Sequence, residues 1–285
     1  MIRSMIKIEP KPAPTQTAPR PTVRQSEGDL RLMAIPRLAA AGKWRVEAMR
    51  SLSEPLLLWF TKGQGRITIG GVTRGYSTHT AVFIPAGVMH GFEVGPQVFG
   101  TAVYFGRDPG LPLPKIPHLL RIRETQAQQE VNITLDMIQR ELHAETPAHE
   151  RAARAHLGLL GVWLERQIVK AAPEQIKPDA AKRLVTRYTA LMEREVRSGA
   201  GVADLAAALG VTTTHLTRCC KQGCGKSALA LLQDRRIFEA RKMLAETDMP
   251  VSKVGAELGF ASAAYFTRAF QNLTGTSPTA FRRLQ

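Results

Sequence analysis

Cysteine is scarce in this 285-residue chain: there are three, and Cys219, Cys220 and Cys224 sit close together. An odd, clustered set makes a poor disulfide framework and points to a reducing, cytoplasmic setting. No apolar stretch runs for about 18 residues without interruption, so a membrane span is not expected. The first residues lack a long apolar run ending in a small-residue cleavage site, so no signal peptide is expected. Acidic residues are also short: 24 Asp and Glu face 39 Lys and Arg, a formal net charge of +15. That excess suits a polyanion, DNA or RNA before an anionic membrane surface. It is spread along the chain, with 17 basic and 10 acidic residues from 171 onward and 22 and 14 before. Charge alone therefore does not locate a binding face.

Residues 1–27 are rich in proline, threonine and basic residues, with almost no apolar periodicity, and read as a flexible arm. From 28 to 107 the texture is short strand-like segments (45–50, 56–61, 65–69, 81–85 and 98–105) separated by KGQG, GGVTRG and PAG. Closely spaced strands without intervening helices predict a small antiparallel barrel or sandwich, able to enclose a ligand. Trp44, Trp59, His79, Phe83, His90, Phe92 and Tyr104 are the candidate lining of such an effector pocket. Residues 108–127 begin with a proline-dense run and are assigned as a linker. Two amphipathic helices then fill 128–171. The first carries Val131, Leu135, Ile138 and Leu142 on one stripe; the second carries Ala155, Leu159, Val162, Trp163 and Val169. They have two possible partners, the barrel or a second copy of the chain, and the region is assigned to dimerisation. A break at 172–178 ends this half.

Residues 179–285 read as all-helical, with helices expected over 181–196, 202–209, 213–221, 227–246 and 278–283. Near the C-terminus, Val251, Val254 and Leu258 mark a short helix that stops at Gly259. Ser262 then caps a second one carrying Tyr265, Phe266, Ala269, Phe270 and Leu273. Two short helices broken at a glycine are the signature of a helix-turn-helix, whose second helix is free to enter a DNA major groove. The pattern occurs twice. VADLAAALGVTTTHLTRCCKQGCGKS (202–227) aligns with VSKVGAELGFASAAYFTRAFQNLTGTS (251–277), and Thr217-Arg218 answers Thr267-Arg268. One long helix joins the copies. Such a bridge can hold two recognition helices about 34 Å apart, one duplex turn.

This half resembles the DNA-binding domain of the AraC/XylS family of bacterial transcription regulators. The matching residues include Leu209-Gly210, His215-Leu216-x-Arg218, Gly225-x-Ser227, Arg235-Arg236, Ala240-Arg241-x-x-Leu244, Gly259-Phe260-x-Ser262, Phe266-x-Arg268-x-Phe270 and Gly275-x-x-Pro278. In the N-terminal half, Pro85-x-Gly87-x-x-His90 resembles the turn of a cupin. The resemblance implies a two-domain fold: an N-terminal cupin-like β-barrel with following helices, and a C-terminal all-α double helix-turn-helix. It implies a DNA-binding transcription regulator or activator without a cofactor, working as a homodimer with RNA polymerase, whose barrel binds a sugar or an aromatic acid. Carried across residue by residue, it gives Thr212, Thr213, Thr214, Thr217, Arg218 and Lys221 as DNA-binding in the first unit. In the second it gives Ser262, Ala263, Ala264, Tyr265, Thr267 and Arg268. Arginine pairs with guanine O6 and N7, and threonine offers its methyl to thymine, though either can instead hold a phosphate. Ala263 and Ala264 leave the second helix poor in polar readers. Cys220 stands where the family has phenylalanine, a smaller core residue.

Three alternatives stay open at this point. His215 and Cys219 lie one helical turn apart, so a zinc or redox site is conceivable, although paired ligand motifs are absent from the sequence. A cupin enzyme tethered to DNA is a second reading, weakened because the barrel offers His79 and His90 without the His-x-His and carboxylate of a metal cupin. An architectural DNA binder without an effector is the third.

Overall fold

The computed structural model describes residues 29–40, 44–171 and 180–283; the side chains of Trp44 and Arg45 are outside that description. The arm at 1–27 and the break at 172–178 lie outside the described residues.

The N-terminal half is built on two antiparallel sheets. The larger runs in the order β1 (Arg31–Ala34), β7 (Phe99–Tyr104), β2 (Leu56–Lys62), β5 (Thr80–Ile84) and β8 (His118–Arg121). The smaller runs β4 (Val72–Tyr76), β3 (Gly65–Ile69), β6 (His90–Phe92). Neither closes on itself, so the closed barrel expected from the sequence is corrected to two open sheets. Strand β2 explains the packing. Side chains alternate across a strand; Leu56, Leu58 and Phe60 join Ile67, Tyr76 and Phe92 between the sheets, while Leu57 and Trp59 point the other way. Both faces of β2 are covered, which is why five consecutive apolar residues replace an apolar–polar alternation.

The outer face of the large sheet is covered by α3 (Thr125–His143) and α4 (His149–Ala171). Helix α3 buries Val131, Leu135 and Ile138, as the stripe predicts, with Leu142 partly buried at its end. Helix α4 is rotated from the expected stripe: it buries Ala153, Leu157, Leu160, Trp163 and Leu164, and leaves Ala155, Leu159, Val162 and Val169 exposed. The helix carries two apolar stripes, and the large sheet selects the one containing Leu157, Leu160 and Leu164.

Three further segments depart from expectation. Residues 45–50 hold a short helix, α2 (Trp44–Glu47), after α1 (Ile35–Ala39), and Arg50 makes only an isolated bridge to His90. The glycine-laden 70–75 stretch contains most of β4, and residues 118–121 within the expected linker form an edge strand beside β5.

The C-terminal half has seven helices among the described residues. They are α5 (Ala180–Arg194), α6 (Val202–Ala208), α7 (Thr213–Cys224), α8 (Ala228–Glu246), α9 (Val251–Glu257), α10 (Ala263–Thr274) and α11 (Pro278–Arg283). Helices α7, α8 and α10 begin alike: the hydroxyls of Thr212, Ser227 and Ser262 accept from the amides of His215, Ala230 and Tyr265 at 3.1, 3.1 and 3.2 Å. The two turns are also alike, with Gly210 and Gly259 both at φ 71°. No helix among the described residues is long and apolar enough to cross a membrane.

The halves are docked. Met49 and Met89 enter the apolar core formed by α5, α6 and α7. The turn between β3 and β4 lies on α5 and α7, where the Thr186 hydroxyl donates to Gly70 O at 3.3 Å. The fit requires glycine at 71, since a Cβ there would lie 2.1 Å from Val185 Cγ1.

Candidate nucleic-acid interface

Helix α7 buries Leu216, Cys219 and Cys220 on one side, so its opposite side is set by helical geometry. Thr213, Thr217 and Lys221 form one row there and Thr214 and Arg218 the next; all are exposed except Thr217, which is half-buried. Helix α10 repeats the arrangement fifty residues on. Phe266 and Phe270 are buried, and Ala263, Ala264, Arg268 and the half-buried Thr267 occupy the same two rows. The structure thus places the candidate contact residues of each unit on one outward face. Thr212 and Ser262 belong to the rim of that face, with their hydroxyls engaged as helix caps. Tyr265 is exposed but held back, its hydroxyl accepting from Gln233 Nε2 of α8 at 2.5 Å. The Arg218 guanidinium lies 3.0 Å from His215 Nδ1. Chemically, the first face offers three threonines, an arginine and a lysine. The second offers one threonine and one arginine beside two methyl groups.

A set of residues that the sequence reading left without a role fixes the two faces relative to each other. Arg236 of α8 donates to Gly259 O at 3.1 Å, in the turn of the second unit, and to Gly199 O and Ala200 O at 3.1 and 3.0 Å, just before the first. Arg235, buried beside it, pairs with Glu193 of α5 at 2.5 Å and with Glu239 at 3.0 Å. Burial pulls the Arg235 pKa down, but the two carboxylates outweigh it and raise it. Glu239 is also bound by Arg197, and these cations hold its carboxyl below its ordinary value despite burial. The signal available in the sequence was two adjacent arginines inside an otherwise apolar helix stretch, which burial obliges to find partners.

The cysteines belong to the first unit's core. Burial pushes the Cys220 thiol up to about 12, away from thiolate chemistry, and raises Cys224 as well. Cys219 Sγ lies 3.7 Å from His215 Nε2, and Cys224 Sγ donates to Cys220 O at 3.3 Å.

The candidate effector residues do not converge. Trp59 and Phe83 face α3 and α4: Trp59 Nε1 donates to Asn132 Oδ1 at 2.8 Å, and its ring stacks on His79 and meets Trp163 edge-on. Phe92 and Tyr104 lie on the opposite side of the large sheet, packed between the sheets, with the Arg31 guanidinium 3.9 Å above the Tyr104 ring. His90 is buried beside Arg50 with its Nδ1 2.9 Å from Val88 O; burial first, then Arg50, lowers its pKa to about 3. The side chain of Trp44 lies outside the described residues. The expected single pocket is thus divided by the large sheet, and His79 and His90 stand on opposite sides of it, not at a shared metal.

A family model described as a helix-turn-helix domain matches residues 205–284. The chain is 30% identical over 128 residues to the arabinose operon regulatory protein of Escherichia coli, covering 44% of each chain. It is 31% identical over 104 residues to the protein named probable transcription factor PqrA of Proteus vulgaris, covering 36% of this chain and 85% of that one. A 23% identity over 250 residues to the transcriptional regulator CdhR of Pseudomonas aeruginosa covers 83% of this chain and 69% of that one. The chain spans less than half the length of the arabinose regulator.

Proposed function

Because the chain belongs to the AraC/XylS family of helix-turn-helix regulators, we propose that it is a sequence-specific transcription regulator that binds double-stranded DNA through α7 and α10. The observation that supports this best is the duplicated outward face, with Arg218 and Arg268 at matching places on helices that share a cap, a turn and a buried side. Direct reading belongs to Thr214, Thr217 and Arg218, where bidentate arginine and threonine methyl contacts are available. The alanines of α10 suit methyl or backbone contact. In this reading the N-terminal β-domain responds to a small-molecule effector, and RNA polymerase is the partner at the promoter. The effector must have unequal affinity for two states of the protein for anything to switch.

A second copy of the chain is the proposed partner for α3 and α4. Their outer side exposes Ile133, Met137, Leu159, Val162 and Val169, an apolar surface not used by the sheet. An enzymatic reading finds no support in the placement of His79 and His90 on opposite sides of a packed sheet. Footprinting on the promoter next to the protein's own gene tests the function. Two protected segments about one helical turn apart are expected, with an extent or affinity altered by candidate effectors. Uniform coating of any DNA, with no preferred segment, would sink the reading in favour of an architectural binder.

A further inference from the structure

Arg218, the arginine of the first outward face, does not stand alone on α7. Among the described residues its guanidinium has one hydrogen-bond partner, the imidazole of His215, with Nη2 3.0 Å from Nδ1. Residues three and four apart are neighbours on a helix surface, so position 215 lies beside both 218 and 219. A guanidinium only donates, so Nδ1 must accept, and the neutral ring then carries its proton on Nε2. That proton has a partner in Cys219 Sγ, 3.7 Å from Nε2. Cys219 is 3% exposed and belongs to the core of the first unit. The half-buried imidazole is therefore held from beneath and lends its one lone pair outward. It takes one N–H of Nη2 and leaves one two-donor edge of the guanidinium open, the kind of edge that pairs with guanine O6 and N7. The second unit supplies the contrast. Tyr265 stands at the place of His215, and Arg268 at that of Arg218. The Tyr265 hydroxyl is engaged with Gln233 of α8, and Arg268 has no hydrogen-bond partner among the described residues.

We propose that His215 is a positioning residue for base recognition: anchored on Cys219, it holds the Arg218 guanidinium in the orientation that reads guanine. The proposal rests on the reading of α7 as a recognition helix, and it gives a physical reason for the two matching arginines to differ. An unrestrained arginine loses its rotamer freedom when it binds, whereas one already held has less to lose. The gain falls on discrimination at a single base pair, because an arginine without that guidance still reaches a phosphate.

Binding of the full chain to an operator selected from a randomised pool, and to variants of it changed at each base pair in turn, tests the role. Arg218→Ala first marks the base pair that Arg218 reads. His215→Phe, which keeps a ring but no acceptor, should lower discrimination at that pair about two- to tenfold, the worth of one pre-ordered side chain. His215→Asn, whose Oδ1 can accept in place of Nδ1, should restore most of it. Neither variant should change preference at other base pairs or affinity for unrelated DNA. In an Arg218→Ala background, His215→Phe should do nothing further at the marked pair. Loss spread over all base pairs, or no rescue by His215→Asn, makes the role of His215 structural and overturns the proposal. Unchanged preference in His215→Phe overturns it while leaving recognition by α7 intact. If Arg218→Ala itself relaxes no base pair, the reading of the helix falls and the proposal with it. A measurement on the unaltered chain covers a variant that fails to fold. Nitrogen NMR at mildly alkaline pH should show His215 as the Nε2–H tautomer, and the Nδ1–H tautomer overturns the proposal.

Discussion

In the second helix-turn-helix unit, α10 packs Phe266 and Phe270 against Phe260 and Phe281, with ring centroids 5.1 to 5.8 Å apart. That core is closed by residues 237–281 alone. In the first unit, α7 puts Leu216 and Cys220 at the corresponding places, and the aromatic bulk comes from Tyr188 of α5, whose hydroxyl donates to Ala228 O at 2.8 Å. Met49 and Met89 of the β-domain complete it. The same motif is therefore self-sufficient in one copy and borrowed in the other. The copy that borrows its core is also the one with the richer polar face. Shared packing thus joins the β-domain to the buried side of α7, whereas among the described residues the core around α10 includes none from the β-domain.

The largest expected contrast lies in the cores. Phe270→Ala should cost about 3–5 kcal/mol in urea unfolding, and Cys220→Ala about 1 kcal/mol, the loss of roughly one methylene's worth of burial. Equal losses would mean that the first core is as tightly filled as the second. Next come the turns. Gly210→Ala meets no atom within 4 Å and bears only the left-handed backbone cost, about 1–2 kcal/mol. Gly259→Ala bears that cost and places a Cβ 2.7 Å from Gly199 Cα, so overpacking should add about 1–3 kcal/mol. If thermal melts rank the two the other way, the close approach at Gly259 is relieved by movement and does not discriminate the units. The smallest contrast is in DNA binding. Arg218→Ala should weaken the specific site by about 1–3 kcal/mol and relax base preference at one position. Arg268→Ala should lower affinity for all sequences alike and reduce the salt slope by about one. Selection experiments on randomised operators decide it: relaxed preference from Arg268→Ala and none from Arg218→Ala would reverse the assignment of the reading helix.

The C-terminal half was legible because its signals are local. Ser262 caps a helix as its sequence context predicts, Thr212 and Ser227 cap α7 and α8 in the same way, and Gly210, Gly225, Gly259 and Gly275 all adopt positive φ at the ends. A cap or a turn is decided by a few neighbouring residues. The N-terminal half is decided by faces that meet across long separations, and there the reading was weaker. In α4, Leu159 and Val162 are as apolar as Leu157 and Leu160, and only the position of the sheet chooses between them. Strand β8 follows a proline-rich run and β4 follows two glycines, so local breakers masked pairings made with β5 and β3. The candidate DNA residues were found together because helical spacing keeps them together. The candidate effector residues were gathered by residue type, and a packed sheet separates them.

The arginines of α8 carry one more consequence. With Arg236 bound to the turn before α10 and to the segment just before α6, and Arg235 clamped to α5, the angle between the two helix-turn-helix units has little freedom. The bridge of 19 residues spans about 28 Å at the helical rise. The C-terminal half is then a ruler with fixed gradations. No effector needs to stretch it, and none easily could; the DNA must be cut to its measure, with both boxes on one side of the duplex, and regulation decides only whether the ruler is laid down.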